Sequence, residues 1–201
     1  MHLAHETNEM LCLNTSVKEQ ELISDCKKGK AVAQKAVYDR YASMMLAVCV
    51  RYIKDRMEAE HVMVGGMVKV FSNIDQFQEQ GSFEGWIRRI MVNESLMYLR
   101  KHKNMSLTQD IEDIREEPNY DSLGNTLGAA ELIGMIDELP VGYRTVFNLY
   151  AIEGYKHEEI AEMLGISTGT SKSQLNRARK QLQKQLIVLE SEQKVLVNYG
   201  K

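Results

Sequence analysis

Apolar residues recur every three or four positions through most of the chain, the spacing that places them on one face of an α-helix. In the N-terminal half this pattern predicts four helices. Gly29 is the expected stop of the first, while Asp55 and Ser82 are the expected N-caps of the third and fourth. No alternating strand pattern is present, so the predicted fold class is all-α. The apolar positions are, helix by helix, Leu22, Ile23 and Cys26; Tyr38, Tyr41, Met45, Val48, Cys49 and Tyr52; Val62, Met63, Met67, Val70 and Phe71; and Trp86, Ile87, Ile90, Met91 and Leu99.

The C-terminal half carries a more specific pattern. Two apolar stripes, one ending at Pro140 and one at Gly154, precede a short helix expected over residues 156–164 and a long final helix. Gly165 suits the turn between these last two helices because glycine tolerates positive φ. Either Ser167 or Thr168 is the expected N-cap of the long helix. A short helix, a glycine turn and a second helix form the helix-turn-helix arrangement. The two stripes comprise Leu132, Ile133, Met135, Ile136 and Leu139, and Val146, Phe147 and Tyr150.

Charge is unevenly distributed along the 201 residues. The chain has 25 Lys+Arg and 28 Asp+Glu, a net charge of −3, which argues against a general polyanion binder. By segment, residues 1–104 hold 15 basic and 13 acidic side chains (net +2), residues 105–140 hold 1 and 9 (net −8), and residues 141–201 hold 9 and 6 (net +3). The acidic stretch also gathers Pro, Gly, Asn and Ser, a composition typical of a flexible linker.

These shifts predict two helical domains joined by an acidic flexible linker. The expected segments are an N-terminal tail, a first domain, the linker, a second domain and a C-terminal tail, at residues 1–17, 18–104, 105–128, 129–190 and 191–201.

Several classes of protein are disfavoured by the sequence. The cysteines Cys12, Cys26 and Cys49 are odd in number and far apart, so they predict thiols in or near a core and no disulfide framework. The longest apolar run, Met44–Val50, is far shorter than the ~18–20 residues that span a bilayer. The five histidines lack metal-ligand spacing, and no glycine-rich phosphate loop is present. We therefore expect a soluble, cytoplasmic protein that is not an enzyme and has no cofactor, metal site or membrane insertion.

The long final helix is the clearest candidate site. Residues 166–186 contain five basic side chains and no Asp or Glu, and their first turns are rich in Ser, Thr, Gln and Asn. A helix N-terminus also offers amide donors that favour a phosphate. A solvated face on an ordinary surface helix would explain the charge alone, but the preceding helix and turn favour a recognition helix in the DNA major groove. The basic residues are Lys172, Arg177, Arg179, Lys180 and Lys184.

A second candidate lies between the third and fourth helices of the N-terminal half. Aromatic residues flank a polar loop that precedes a basic helix, and such rings can stack unpaired bases at ~1–3 kcal/mol each. Phe83 and Trp86 are also natural core residues, so the polar loop and the pair Arg88 and Arg89 are the better candidates for nucleic-acid contact. The loop side chains are Gln76, Phe77, Gln78, Gln80 and Ser82.

These elements resemble a known family. The segments LISDCKKGKAVAQKAVYDRYASMMLAVCVRYIKDRMEAE and FSNIDQFQEQGSFEGWIRRIMVNESLMYLRKHK resemble region 2 of bacterial sigma factors. The segment IDELPVGYRTVFNLYAIEGYKHEEIAEMLGISTGTSKSQLNRARKQLQ resembles region 4. Together they cover roughly residues 18–188, and sigma factors with only these two domains form the extracytoplasmic-function (ECF) subfamily. The form KSQLNRARKQL is similar to members from Bacteroidetes-type bacteria.

The resemblance implies transcription initiation with core RNA polymerase and promoter DNA as partners. It leaves open an anti-sigma factor or another recruiting protein as an additional partner. Region 2 would read and melt the −10 element through the loop residues Asp75, Gln76, Phe77, Gln78, Gln80 and Ser82, and through Arg88, Arg89 and Asn93 of the next helix. Region 4 would contact the −35 element through Thr170, Lys172, Ser173, Asn176, Arg177, Arg179 and Lys180.

One departure from the family lies in the third helix. Where the family usually has a polar Asp-x-x-Gln-Glu face for the polymerase clamp, this chain has His61, Val64 and Gly65, which share a helical face with Val68. Two adjacent glycines would also cost roughly 1 kcal/mol each relative to alanine. The change either weakens polymerase binding or reshapes the interface, for the polymerase or for an additional partner. A smaller departure is Ser171, where an apolar residue more often packs beneath the recognition helix.

Two alternative functions follow from the same features. A helix-turn-helix regulator that never enters the polymerase would need no −10 loop, and the presence of that loop disfavours it. A divergent sigma-like adaptor would use its altered 61–68 face to bind a separate DNA-targeting or recruiting partner. Such a partner would deliver the polymerase or replace promoter reading.

Overall fold

A computed structural model describes residues 18–102 and 129–199 of the chain. The predicted tail 1–17 and the predicted acidic linker 105–128 lie outside the described residues. Within the described ranges the chain is helical and contains no strand. It divides into two compact units, Met1–Tyr98 and Leu99–Lys201, near the C-terminal end of the fourth helix. The all-α, two-domain prediction is therefore confirmed, while the finer boundaries at residues 104 and 190 stay predictions.

The described part of the first unit, from residue 18 onward, contains four helices and one short 3₁₀ turn. The capping predictions hold: Asp55 accepts from the amides of Met57 and Glu58 at 2.9 and 3.1 Å, and Ser82 Oγ accepts from the Gly85 amide at 3.0 Å. Gly29, at φ 74°, ends the first helix as expected. The helices are α1 (18–27), α2 (Ala31–Tyr52), α3 (Arg56–Ser72) and α4 (Phe83–Lys101), and the 3₁₀ turn is Ile74–Gln76.

The apolar stripes of these helices meet in one core. Val37, rather than the predicted Tyr38, is the buried residue near the start of α2, because the inward face is already set by Ala33 and continues four residues at a time. Tyr38 remains 36% exposed. The two described cysteines are buried free thiols, and burial raises the pKa of Cys49 to about 11, so its thiolate is scarce at neutral pH. Large buried side chains include Met45, Tyr52, Met67, Phe83, Ile87 and Met91.

The two adjacent glycines of α3 have different roles. Gly66 is buried against α4, and a Cβ atom there would lie 2.5 Å from Sδ of the fully buried Met91. Gly65 faces outward, and a Cβ atom there would meet nothing within 4 Å. A side chain at position 66 therefore requires the buried Met91 side chain to shift, whereas one at position 65 displaces nothing.

This contrast gives a matched pair of variants. Gly65→Ala is expected to raise the free energy of unfolding by about 1 kcal/mol, because alanine favours the helix. Gly66→Ala gains the same propensity but overpacks the core, so it is expected to be about 1–3 kcal/mol less stable than Gly65→Ala. Urea unfolding followed by the fluorescence of Trp86, the single tryptophan of the chain, reports on this unit. Equal stability of the two variants would contradict the packing.

Residues 129–199 of the second unit also form four helices. Glycines end two of its segments in the left-handed region, Gly154 at φ 79° and Gly165 at φ 67°. The sequence pattern did not predict that α6 continues into one wider, π-helical turn. The elements are α5 (Ala129–Glu138), α6 (Val141–Phe147), the π-helical turn (Asn148–Ile152), α7 (His157–Leu164) and α8 (Thr168–Tyr199).

The core of this unit forms where α5 packs on α8. Leu132 and Ile133 were predicted to share the apolar stripe of α5 but are 42% and 55% exposed, because the inward face of α5 is made by Met135, Ile136 and Leu139. Those three contact Ala178, Leu182 and Leu186 of α8. The backbone of α8 continues to Tyr199, beyond the predicted domain end at residue 190, so most of the predicted tail 191–201 is helical.

Candidate nucleic-acid interface

The helix-turn-helix of the second unit has well-defined capping geometry. At its turn, Ile166 donates its amide to the carbonyl of Ala161 at 3.0 Å, a bond that closes the end of α7 around the left-handed Gly165. Ser167 is the N-cap of α8, since its Oγ accepts from the Thr170 amide at 2.9 Å. Thr168, the alternative cap, is instead the first helical residue. A helix N-terminus of this kind is a favourable place for a phosphate.

All seven residues predicted to contact the −35 element keep part of their side chains accessible. Lys172 is exposed, and the other six are half-buried, while Leu175 and Ala178 turn inward. The hydroxyl groups near the N-terminus are bonded to one another and to the backbone: Thr170 Oγ1 lies 2.9 Å from Ser167 Oγ, and Ser173 donates to the Thr170 carbonyl at 3.0 Å. The structure thus gathers the predicted cationic and polar groups on one helix. The six half-buried residues are Thr170, Ser173, Asn176, Arg177, Arg179 and Lys180.

Two of these arginines lie against tyrosines that the sequence analysis did not assign to the site. Nη1 of Arg177 donates to the hydroxyl of Tyr143 at 3.5 Å, and the guanidinium of Arg179 lies 5.6 Å from the ring centroid of Tyr150. A cation over an aromatic face is attracted by the ring quadrupole. The tyrosines therefore restrict where the arginines point. No sequence spacing links Tyr150 to Arg179, so only the fold reveals this contact.

The loop predicted to capture bases differs from expectation at one residue. Phe77 is only 5% exposed, and its ring packs at 5.2 Å from Phe83 and 5.5 Å from Trp86. The prediction that its ring contacts DNA is therefore wrong for this conformation, since the apolar ring is more stable inside the core. The backbone is held as well, because Lys27 Nζ donates to the Phe77 carbonyl at 3.1 Å. The polar members of the loop, Asp75, Gln76, Gln78, Gln80 and Ser82, are all exposed.

An open cavity of about 240 Å³ lies beside this loop, between α3, the 3₁₀ turn and α4. It brings together Gln76 and Asn93, both predicted site residues, with the half-buried ring of Trp86. Lys69 and Glu94 also line it and pair at 2.6 Å, which sequence reasoning missed because they are 25 residues apart. Arg88 pairs instead with Glu84 at 3.4 Å, and Arg89 is exposed. The remaining lining residues are Asn73 and Ile90.

The outer face of α3 is as the sequence predicts. His61, Val64, Gly65 and Val68 are all exposed, with Val64 at 42% and Val68 at 60%. The opposite face is inward, with Met63, Gly66, Met67 and Val70 buried and Val62 and Phe71 half-buried. Two exposed valines beside an exposed glycine make this a shallow apolar surface.

Metal ligands and membrane spans were sought in the described residues. Within 18–102 and 129–199, no group of three or more His, Cys, Asp or Glu side chains could hold a metal ion. None of the helices in those ranges is both long and apolar enough to cross a membrane.

Comparisons with known proteins match both units. The family model "Sigma-70 region 2" matches residues 37–105, and "Sigma-70, region 4" matches residues 129–182. The ECF RNA polymerase sigma factor SigE of Mycolicibacterium smegmatis is 31% identical over 159 residues, which is 76% of this chain and 61% of that protein. The RNA polymerase sigma factor SigV of Bacillus subtilis is 30% identical over 139 residues, which is 67% of this chain and 80% of that protein.

A solved structure is also similar to this chain. It is the sigma factor RpoE in complex with the anti-sigma factor NepR from Bartonella quintana, with 22% sequence identity and a TM-score of 0.48. The match covers 76% of this chain and 95% of that one. The two family models and the sequence relatives agree on the same family for the two helical units described above. The chain therefore belongs to the ECF subfamily of sigma-70 family sigma factors, proteins that act in transcription initiation.

Proposed function

We propose that this protein directs core RNA polymerase to promoters by three surfaces: the outer face of α3 binds the polymerase, the loop 75–82 with α4 binds the −10 element, and α8 binds the −35 element. The observation that carries the proposal is the capped, acid-free N-terminal half of α8, which presents Lys172 and its neighbours beside a helix-turn-helix turn. The protein acts in the cytoplasm, where polymerase and chromosome meet, and its KSQLNRARKQL segment supports a Bacteroidetes-type origin.

The −35 role rests on chemistry that suits duplex DNA. Phosphate contacts from basic side chains and from the helix N-terminus fix the register of a recognition helix, and base contacts specify sequence. Lys172 and Arg179 supply positive charge, and the Ser173 hydroxyl can accept a hydrogen bond from a base edge. The absence of acids from residues 166–186 removes repulsion along the same surface.

The −10 role rests on the cavity beside the loop. A separated strand exposes base edges and base faces, and single-stranded sites bind them with amide groups and aromatic rings. Gln76 and Asn93 supply the amides, and Trp86 supplies the ring. We infer that this cavity takes a base from the melted strand, while Phe77 supports the loop from the core.

The −10 assignment predicts a selective effect of one amide. Asn93→Ala is expected to lower the affinity of the polymerase–sigma complex for single-stranded DNA by about tenfold, because a lost pair of base hydrogen bonds is worth ~1–3 kcal/mol. The probe is a labelled strand enriched from a randomised pool by the wild-type complex, and binding is read by fluorescence anisotropy. Met97→Ala, on the same helix at 54% exposure, is the control. Equal affinities of the two variants would contradict the assignment.

A further inference from the structure

The departure at Ser171 has a partner in the structure. Its side chain is fully buried where α7 meets α8, and its Oγ lies 2.8 Å from Nδ1 of His157, a hydrogen bond in which either atom can be the donor. A buried hydroxyl without a partner would be costly, so the histidine is what makes serine acceptable at this position. The two residues join the first helix of the helix-turn-helix to the recognition helix.

His157 also contacts a second residue, Tyr150. Its ring stacks on Tyr150 of the π-helical turn, with centroids 4.7 Å apart and planes at 22°. The guanidinium of Arg179 lies over the Tyr150 ring at 5.6 Å. Contacts thus run from Ser171 through His157 and Tyr150 back to Arg179. Ser171 and Arg179 both belong to α8, where they lie about 12 Å apart along the helix axis.

The histidine is neutral under ordinary conditions. Burial lowers the pKa of His157, and the positive charges of Lys172 and Arg179 on α8 lower it further, while Glu158 opposes them. Tyr150 faces the ring from the π-helical turn. A neutral ring can bond Ser171 and stack on Tyr150 without repelling the cations that the DNA requires.

We propose that Ser171, His157 and Tyr150 form a positioning relay that fixes the direction of Arg179 toward the −35 element. This inference rests on the proposed function of α8, and it assigns positioning roles to residues that need not touch DNA themselves. The buried Ser171 hydroxyl and the Tyr150 ring then both restrict the orientation of the Arg179 side chain. The relay would thereby contribute to promoter affinity and base preference.

A double-mutant cycle between Ser171 and Arg179 tests the relay. Valine and threonine have the same shape and differ only by the hydroxyl. Ser171→Val therefore removes the hydrogen bond to His157, while Ser171→Thr keeps it and adds the same extra bulk to the core. In the wild type and in Ser171→Thr, Arg179→Ala is expected to lower affinity for an upstream promoter duplex about tenfold. In the Ser171→Val background, Arg179→Ala is expected to lower the affinity less than threefold, because Arg179 is no longer oriented toward the DNA. Duplexes enriched by the polymerase–sigma complex serve as probes, and anisotropy reports binding.

The outcomes separate this inference from the function on which it rests. If Arg179→Ala costs nothing in the wild type, the assignment of Arg179 to DNA fails. If it costs tenfold in all three backgrounds, the relay is contradicted while the DNA assignment stands. His157→Phe, which keeps a ring for Tyr150 but cannot bond Ser171, provides a second background if Ser171→Val does not fold. There too the cost of Arg179→Ala is expected to fall below threefold, and an undiminished cost overturns the relay.

Discussion

Reversing the charge of Lys172 is expected to lower the affinity for an upstream promoter duplex by about 30- to 100-fold, whereas the same reversal at Lys184 is expected to change it less than about threefold. Lys172 is exposed in the first turns of α8, where a phosphate is expected, and Lys172→Glu replaces an attraction by a repulsion. Lys184 is also exposed but lies about 18 Å farther along the helix, beyond the ~10 Å screening length at 0.1 M salt. A hundredfold loss corresponds to about 2.7 kcal/mol.

Comparing Lys172→Glu with Lys184→Glu separates the effect of position from that of net charge, since both variants lower the net charge of the protein by two. Binding of an enriched, labelled duplex is measured by anisotropy across a range of salt concentrations. The milder Lys172→Ala is expected to reduce the salt slope by about one, the signature of one lost phosphate contact. Similar losses for Lys172→Glu and Lys184→Glu would show that α8 binds DNA only through its overall charge, and would remove the recognition role.

Gly65→Arg is expected to reduce binding to core RNA polymerase by at least about tenfold while leaving the fold intact. A Cβ atom at this position meets nothing within 4 Å, so the longer side chain has room to project outward. It then stands between Val64 and Val68, at the centre of the proposed polymerase surface. A cation forced into such an interface must be desolvated without a partner, which costs several kcal/mol.

Val32→Arg is the matched control for this variant. Val32 is 84% exposed at the start of α2, and its substitution adds the same charge to the same unit on a different helix. Polymerase binding is measured by titrating labelled sigma protein with core enzyme, and the Gly65→Ala variant shows whether loss of glycine alone matters. Undiminished binding by Gly65→Arg would place the polymerase contact elsewhere on the protein.

Much of this architecture could be predicted from the sequence because it depends on local rules. Helical spacing located the stripes, and short polar residues at Asp55, Ser82 and Ser167 bond the amides within the next turn. Gly165 adopts the positive φ that the turn requires. The outward faces of α3 and α8 follow from the same periodicity, so their exposed residues were also predictable.

What escaped prediction depends on contacts between distant segments. The ring of Phe77 is buried because Phe83 and Trp86 are brought beside it, and Gly66 differs from Gly65 only because Met91 packs against it. The bond between Ser171 and His157 joins residues 14 apart across a turn. No helical period encodes such pairings, and they are the places where the site acquires its detailed geometry.

Run-off transcription by the reconstituted complex tests the central claim most directly. Core polymerase with this protein, supplied with fragments of its own genome, is expected to start transcripts at a discrete set of positions that share −35-like and −10-like elements. The same core enzyme alone should start at none of them. Stable binding to the polymerase without new start sites would favour an adaptor that needs a separate targeting partner. Failure to bind the polymerase, under conditions in which SigV of Bacillus subtilis binds its own, would contradict the account.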